Sequence, residues 1–207
     1  MLASTDDELA RIIDRADLVT GDGAGVVWAA SLLGDTLPER VTGIDLAEAL
    51  FAWSGSGGAG FRFFFLGAKP GVAEAAAKAI QTRFPRVRVA GWRHGYFGLG
   101  SSEERSVIDA VKSAGPDVLL VAMGAPRQEK WIAANLRELG AQVAIGVGGS
   151  FDVWAGVARR APGWVQTLNL EWAYRLAKEP ARMKRAGALP RFMLATLAAR
   201  VRGRENG

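Results

Sequence analysis

The sequence predicts an α/β fold: a Rossmann-like parallel sheet with helices on both faces, extended by a basic helical C-terminal appendage. Three observations lead there. The strand-like runs, FRFFFL at 61–66 and DVLLVAM at 117–123, are apolar but for Arg62 and Asp117 near their starts, as strands buried on both faces are. Helical patterns alternate with these runs along the chain. Positive charge also gathers at one end. From Arg159 onward eleven Lys or Arg face three acids, a balance of +8, which leaves −3 for residues 1–158.

Each element has its own signal. Residues 5–15 (TDDELARIIDR) read as a helix with acids in its first turn. Residues 16–20 read as a short buried strand, leading through Gly21-Asp22-Gly23-Ala24-Gly25 into a helix that ends near Leu33. The Leu37-Pro38-Glu39-Arg40 stretch is a break, and the next helix runs from about Thr42 to about Trp53. A Gly/Ser cluster at 54–60 precedes the strand at 61–66. Pro70 opens a helix to Arg83, 87–91 is strand-like, and HGYFGLG at 94–100 is an exposed loop. A helix at 101–114, the strand at 117–123, a helix at 126–139 and a last strand at 141–147 complete the alternation. Beyond Pro162, residues Trp164, Leu168, Trp172 and Leu176 share one helical face. This divides the chain into an α/β body, 1–160, and a helical appendage, 161–207.

Composition narrows the class. A chain of 207 residues, 49% hydrophobic, can bury one well-packed domain and is not disordered as a whole. With no cysteine, disulfides and thiolate metal sites are excluded. Asp6, Asp7 and Glu8 stand where a secretory signal would need cations. No apolar run approaches the roughly 18 residues that span a bilayer. A basic tail on a mildly acidic body points to an anionic partner: a phosphate ligand, a membrane surface or nucleic acid.

Ligands of such sheets bind at the carboxyl ends of the strands, so the strand-end loops are the candidate sites. GDGAG at 21–25 imitates a dinucleotide fingerprint, but Val26 stands where the third glycine belongs. A plain strand-to-helix turn explains it equally well. Thr42-Gly43-Ile44-Asp45 fits a capping box, which leaves Asp45 readable as a helix cap or as an exposed general base. Gly124-Ala125-Pro126-Arg127-Gln128 is a glycine turn opening a helix, either an anion site or an ordinary solvated first turn. The stretch from Gly146 joins three glycines to Asp152 and the paired Arg159-Arg160, with backbone N–H groups expected free for an anion. His94, the only histidine, reads as a surface-loop residue. In the tail, Leu189, Phe192, Met193, Thr196 and Leu197 share a helical face that suits either a bilayer surface or the protein body.

The blocks GDGAGVVWAA, PERVTGIDL, FFLGAKPG, GYF, PDVLLVAMGAPRQEKW and GVGGSFDVWAGVARRAPGWVQTLNLEWAYRLAKEPAR resemble, in order, the WecG/TagA/CpsF glycosyltransferases (glycosyltransferase family 26). The resemblance implies an inverting enzyme that moves a sugar from a UDP-sugar to a polyprenyl-diphosphate-linked saccharide. The sugar would be of the N-acetylmannosamine type, its uronic acid or glucose. It implies cell-envelope polysaccharide synthesis at the cytoplasmic membrane face, with no cofactor, no bound metal and no nucleic acid as partner; a homo-oligomer stays open. By the family pattern Asp45 would be the base and Gln128 an active-site polar group. Gly146, Gly148, Gly149, Asp152, Tyr96 and Gly124 would meet the nucleotide. Arg127, Arg159, Arg160, Arg182, Arg185 and Arg191 would meet the diphosphate. Family members usually carry a further strand and helix, with a Thr-x-Asn segment, before the stretch that starts here at Ala16; fifteen residues precede it here, and they read as helix. A non-catalytic nucleotide- or membrane-binding module and a Rossmann-like NAD(P) oxidoreductase are the other readings. The chemistry agrees with the resemblance on its own terms: no Asp-x-Asp occurs, and arginines can neutralise a departing diphosphate instead.

Overall fold

The computed structural model describes residues 2–35, 37, 39–57, 60–163, 165, 174 and 188–205. Four parallel strands form one sheet: β1 (Arg62–Gly67), β2 (Arg88–Arg93), β3 (Val118–Ala122) and β4 (Val143–Gly146), in the order β2-β1-β3-β4. The helices in chain order are α1 (Asp7–Asp14), α2 (Ala24–Leu33), α3 (Gly43–Gly55), α4 (Val72–Arg83), α5 (Ser102–Ala114), α6 (Arg127–Leu139), α7 (Ser150–Trp154) and α8 (Ala188–Glu205). The chain leaves β1 toward β2, then crosses back to β3 and β4, which is doubly wound topology.

Burial on both faces explains the strand sequences. Along β1, Phe63 and Phe65 join Ile44, Ala47 and Phe51 of α3, Ala73, Ala76 and Ile80 of α4, and Phe151 and Trp154 of α7. Phe64 and Leu66 point the other way, into Val107, Ile108 and Val111 of α5 and Trp131 and Leu139 of α6. Side chains alternate across a strand, so a strand between two helical layers must be apolar at every position. Burying each such side chain contributes about 1.5–3 kcal/mol, which makes β1 and β3 the centre of the fold.

The predicted strand at 16–20 is not one. Leu18 and Val19 are 69% and 60% exposed, and the backbone there makes no ladder. A short apolar run has no strand character without a neighbour to pair with, and α1 and α2 lie on either side of it. Gly21 to Gly25 therefore does not follow a strand, and the dinucleotide reading loses its required context. Conversely, α7 falls where a loop was expected: five residues that carry Phe151 and Trp154 into the core. The final helix spans the expected residues and packs against α2. Thr196 is buried while Met193 and Leu197 are each 45% exposed, so the anticipated apolar face is divided between protein and solvent. The helical face of Trp164, Leu168, Trp172 and Leu176 lies outside the described residues. Among the described residues, no helix is long and apolar enough to cross a membrane.

Candidate functional site

The start of α3 is set flush against the end of β4. A Cβ on Gly43 would lie 3.0 Å from the Gly146 carbonyl oxygen and 3.2 Å from Val147 Cα, so any larger residue would push the two backbones apart by a few tenths of an ångström. Thr42, buried, caps the helix: its hydroxyl accepts from the Asp45 N–H at 3.2 Å. The same hydroxyl donates to Asp45 Oδ2 at 2.5 Å. This differs from a standard capping box, in which the acid reaches the cap's backbone N–H. The other carboxylate oxygen, Oδ1, accepts from an Arg160 terminal nitrogen at 2.6 Å. Partial burial pushes the Asp45 carboxyl up, but the hydrogen bonds from Thr42 and Arg160, with the charges of Arg160 and Arg40, outweigh it and hold the group below its ordinary value. Asp45 is therefore a carboxylate throughout the neutral range.

Gln128, buried in the first turn of α6, joins the two neighbouring turns. Its Oε1 accepts from the N–H of Gly124, after β3, and of Gly148, after β4, each at 3.1 Å. Its Nε2 donates to Glu129 Oε1 at 2.8 Å. A Cβ on Gly146 would lie 2.5 Å from that Nε2, so the strand end needs glycine to admit the amide. Two of the backbone N–H groups expected to be free for an anion are thus already spent. The loop's next amide is spent in the other direction, since Val147 N–H extends the ladder to the Val121 carbonyl at 2.9 Å. What the glycines provide is close approach of backbone.

Gly146 thus touches both groups, with α3 on one side and Gln128 on the other. Asp45, Arg160, Gln128, Gly124, Gly146 and Gly148 form one joint at the ends of β3 and β4. Gly149 and Asp152 follow directly, Asp152 half-buried in the first turn of α7. Arg127 faces elsewhere: it donates to the Phe97 carbonyl at 2.7 Å, and its guanidinium lies 5.3 Å over the Phe97 ring. It pins the loop after β2, on which Tyr96 is exposed. Arg159 is exposed. Arg182 and Arg185 lie outside the described residues, and Arg191 falls in the first turn of α8, where only the backbone is described.

Sequence reasoning passed over a second cluster beside this joint. Glu48, one turn along α3 from Asp45, accepts from Trp154 Nε1 at 2.9 Å and pairs with Arg83 at 2.8 Å. With Ile80, Val153 and Arg160 these residues line an open depression of about 350 Å³. The i, i+3 spacing of Asp45 and Glu48 was the only local signal for it.

The chain matches the glycosyl transferase WecG/TagA/CpsF family over residues 1–206. Among curated proteins it is 35% identical over 186 residues to one from Bacillus spizizenii, covering 90% of this chain and 70% of the relative. It is 35% identical over 196 residues to one from Bacillus subtilis strain 168, covering 94% and 74%. A protein from Staphylococcus aureus strain MW2 is 36% identical over 191 residues, covering 92% and 73%. All three are named N-acetylglucosaminyldiphosphoundecaprenol N-acetyl-beta-D-mannosaminyltransferase.

Proposed function

The chain belongs to the WecG/TagA/CpsF family of glycosyl transferases, and from that premise we propose that it transfers an N-acetylmannosamine-type sugar from a UDP-sugar. The acceptor is a polyprenyl-diphosphate-linked saccharide, the chemistry named for its relatives. One observation carries this reading: a partly exposed carboxylate, Asp45, bonded to an arginine at 2.6 Å, beside two glycine turns at the strand ends. Transfer with inversion needs those two parts. The acceptor hydroxyl gives its proton to Asp45 as its oxygen attacks the anomeric carbon. The bond from that carbon to the diphosphate breaks on the opposite face, and UDP leaves with the electron pair.

Arg160 has a place in both halves. A guanidinium carries five N–H donors, so it can serve a diphosphate as well as a carboxylate. Its Nε is buried and without a partner among the described residues, which leaves donor capacity unused. A diphosphate competing for Arg160 would weaken its hold on Asp45 and raise the basicity of that carboxylate as the donor arrives. Arginines, rather than a bound metal, stabilise the departing charge in this reading.

The acceptor is a lipid, and the surface supports work at a membrane. Val26, Trp28 and Leu33 of α2 and Met193, Leu194 and Leu197 of α8 are exposed apolar side chains on two helices packed together. The adjoining C-terminal segment carries the +8 excess, which anionic headgroups attract by about 1 kcal/mol per cation. We place the protein peripherally on the inner face of the cell membrane.

The test is a transfer assay with a short-chain lipid-diphosphate N-acetylglucosamine acceptor and UDP-N-acetylmannosamine, UDP-N-acetylglucosamine or UDP-glucose as donor. Product is expected with the first donor at the highest kcat/KM. Binding of UDP without turnover of any donor would replace the transferase reading with that of a nucleotide-binding module.

A further inference from the structure

Glu129 has no task in the chemistry above, yet it is built into the strand-end joint. One oxygen, Oε1, accepts from the Gln128 amide at 2.8 Å. The other, Oε2, is buried and has no partner among the described residues. A carboxylate oxygen in that position costs free energy, so the arrangement calls for a return elsewhere. The return is visible on the far side of the Gln128 amide. Its single oxygen takes two main-chain N–H groups, one from the turn after β3 and one from the turn after β4. Were the amide turned over, its NH₂ would face those two donors and its oxygen would face the carboxylate, so every contact would be repulsive. Glu129 and the glycines therefore demand the same orientation from opposite ends.

We propose that Glu129 is a positioning residue: by accepting the Gln128 amide N–H it aims the amide oxygen to clamp the Gly124 and Gly148 turns together. The clamp sets the spacing of the backbone against which a nucleotide lies, and misplacement by about 1 Å is enough to cost up to 10²-fold in a bound reaction. This consequence rests on the nucleotide reading of the two turns; the clamp itself rests on the hydrogen bonds alone.

Two variants separate orientation from bulk. Glu129→Gln keeps an oxygen that can accept from the amide, and Glu129→Leu keeps the volume and removes the acceptor. In the unliganded protein, hydrogen-exchange protection of the Gly124 and Gly148 amides is expected to fall roughly tenfold in Glu129→Leu, the scale of one lost charge-assisted bond. UDP affinity by calorimetry should fall by about the same factor. Glu129→Gln should stay within about threefold of the parent in both readouts, since it rescues the acceptor. Unchanged protection in Glu129→Leu, or equal loss in both variants, overturns the proposal. If Glu129→Leu does not fold, Glu129→Ala, which also removes the acceptor but places less bulk on the buried amide, decides by the same readout: protection of both amides should fall roughly tenfold. Unchanged protection in it overturns the clamp. A parent protein that fails to bind UDP refutes the nucleotide reading, while the exchange measurement still decides the role of Glu129.

Discussion

Helix α3 carries two carboxylates one turn apart, each holding an arginine, and they belong to different parts of the molecule. Glu48 ties three helices: its partners are Arg83 at the end of α4 and Trp154 in α7. Its side chain is 21% exposed and faces a layer of packed helices. Asp45 is 42% exposed, is fixed by Thr42 of its own helix start, and meets Arg160 beyond α7 at the edge of the glycine turns. Both pairs obey the same electrostatics. What separates them is position in the sheet: one carboxylate opens on the strand ends where ligands of this topology bind, and the other ties helices together at the wall of a depression away from those ends.

That contrast predicts opposite mutational behaviour. Asp45→Asn should lower kcat by roughly 10²–10⁴-fold with a melting temperature close to the parent's, because it removes a base and little packing. Glu48→Gln, measured in the same transfer assay, should stay within about threefold of the parent, since the amide oxygen can still accept from Trp154. A crippled Glu48→Gln beside an active Asp45→Asn would exchange the roles of the two carboxylates. Next in size, Arg160→Ala should raise the KM for the donor roughly 10- to 100-fold, the loss of one or two charge-assisted phosphate contacts. An unchanged KM would leave Arg160 as an orienting partner of Asp45 only.

Stability should sort the pair in the other direction. Glu48→Ala leaves the Trp154 N–H without its acceptor and removes the half-exposed ion pair with Arg83, and should cost about 1–2 kcal/mol, read as a melting-temperature drop of roughly 2–8 °C. The smallest effect is that of pH. The Asp45 carboxyl is held below its ordinary value of 3.8, so its ion pair stabilises the fold above that pH and is lost as pH falls through the depressed value. The small stability gap between parent and Asp45→Asn should therefore be constant between pH 5 and 8 and close only below about pH 4. A difference that changes between pH 6 and 8 would place another titrating group at the joint.

Local chemistry made much of the fold readable. FRFFFL had to be a strand buried on both faces, Thr42 announced a helix start, and Pro126 marked the opening of α6, which begins one residue later. Residues 16–20 misled because apolar character is local and strand pairing is not. The individual site residues stood at strand ends in the sequence, but their contacts did not. Arg160 meets Asp45 across 115 residues and Trp154 meets Glu48 across 106. No spacing rule reaches that far. The glycines at 124 and 148 were legible as turns; that Gln128 consumes their amides was not, because a side-chain bridge between two loops leaves no periodic trace.

On the proposed function, the nucleotide lies where α3 meets the ends of β3 and β4. Backbone amide chemical shifts followed during a UDP titration test it most directly. The largest changes are expected at residues 43–45, 124–128 and 146–152, with the end of α4 around Arg83 little affected. Changes concentrated around Arg83 and Trp154, with the glycine turns silent, would contradict it and move the site to the depression beside Glu48.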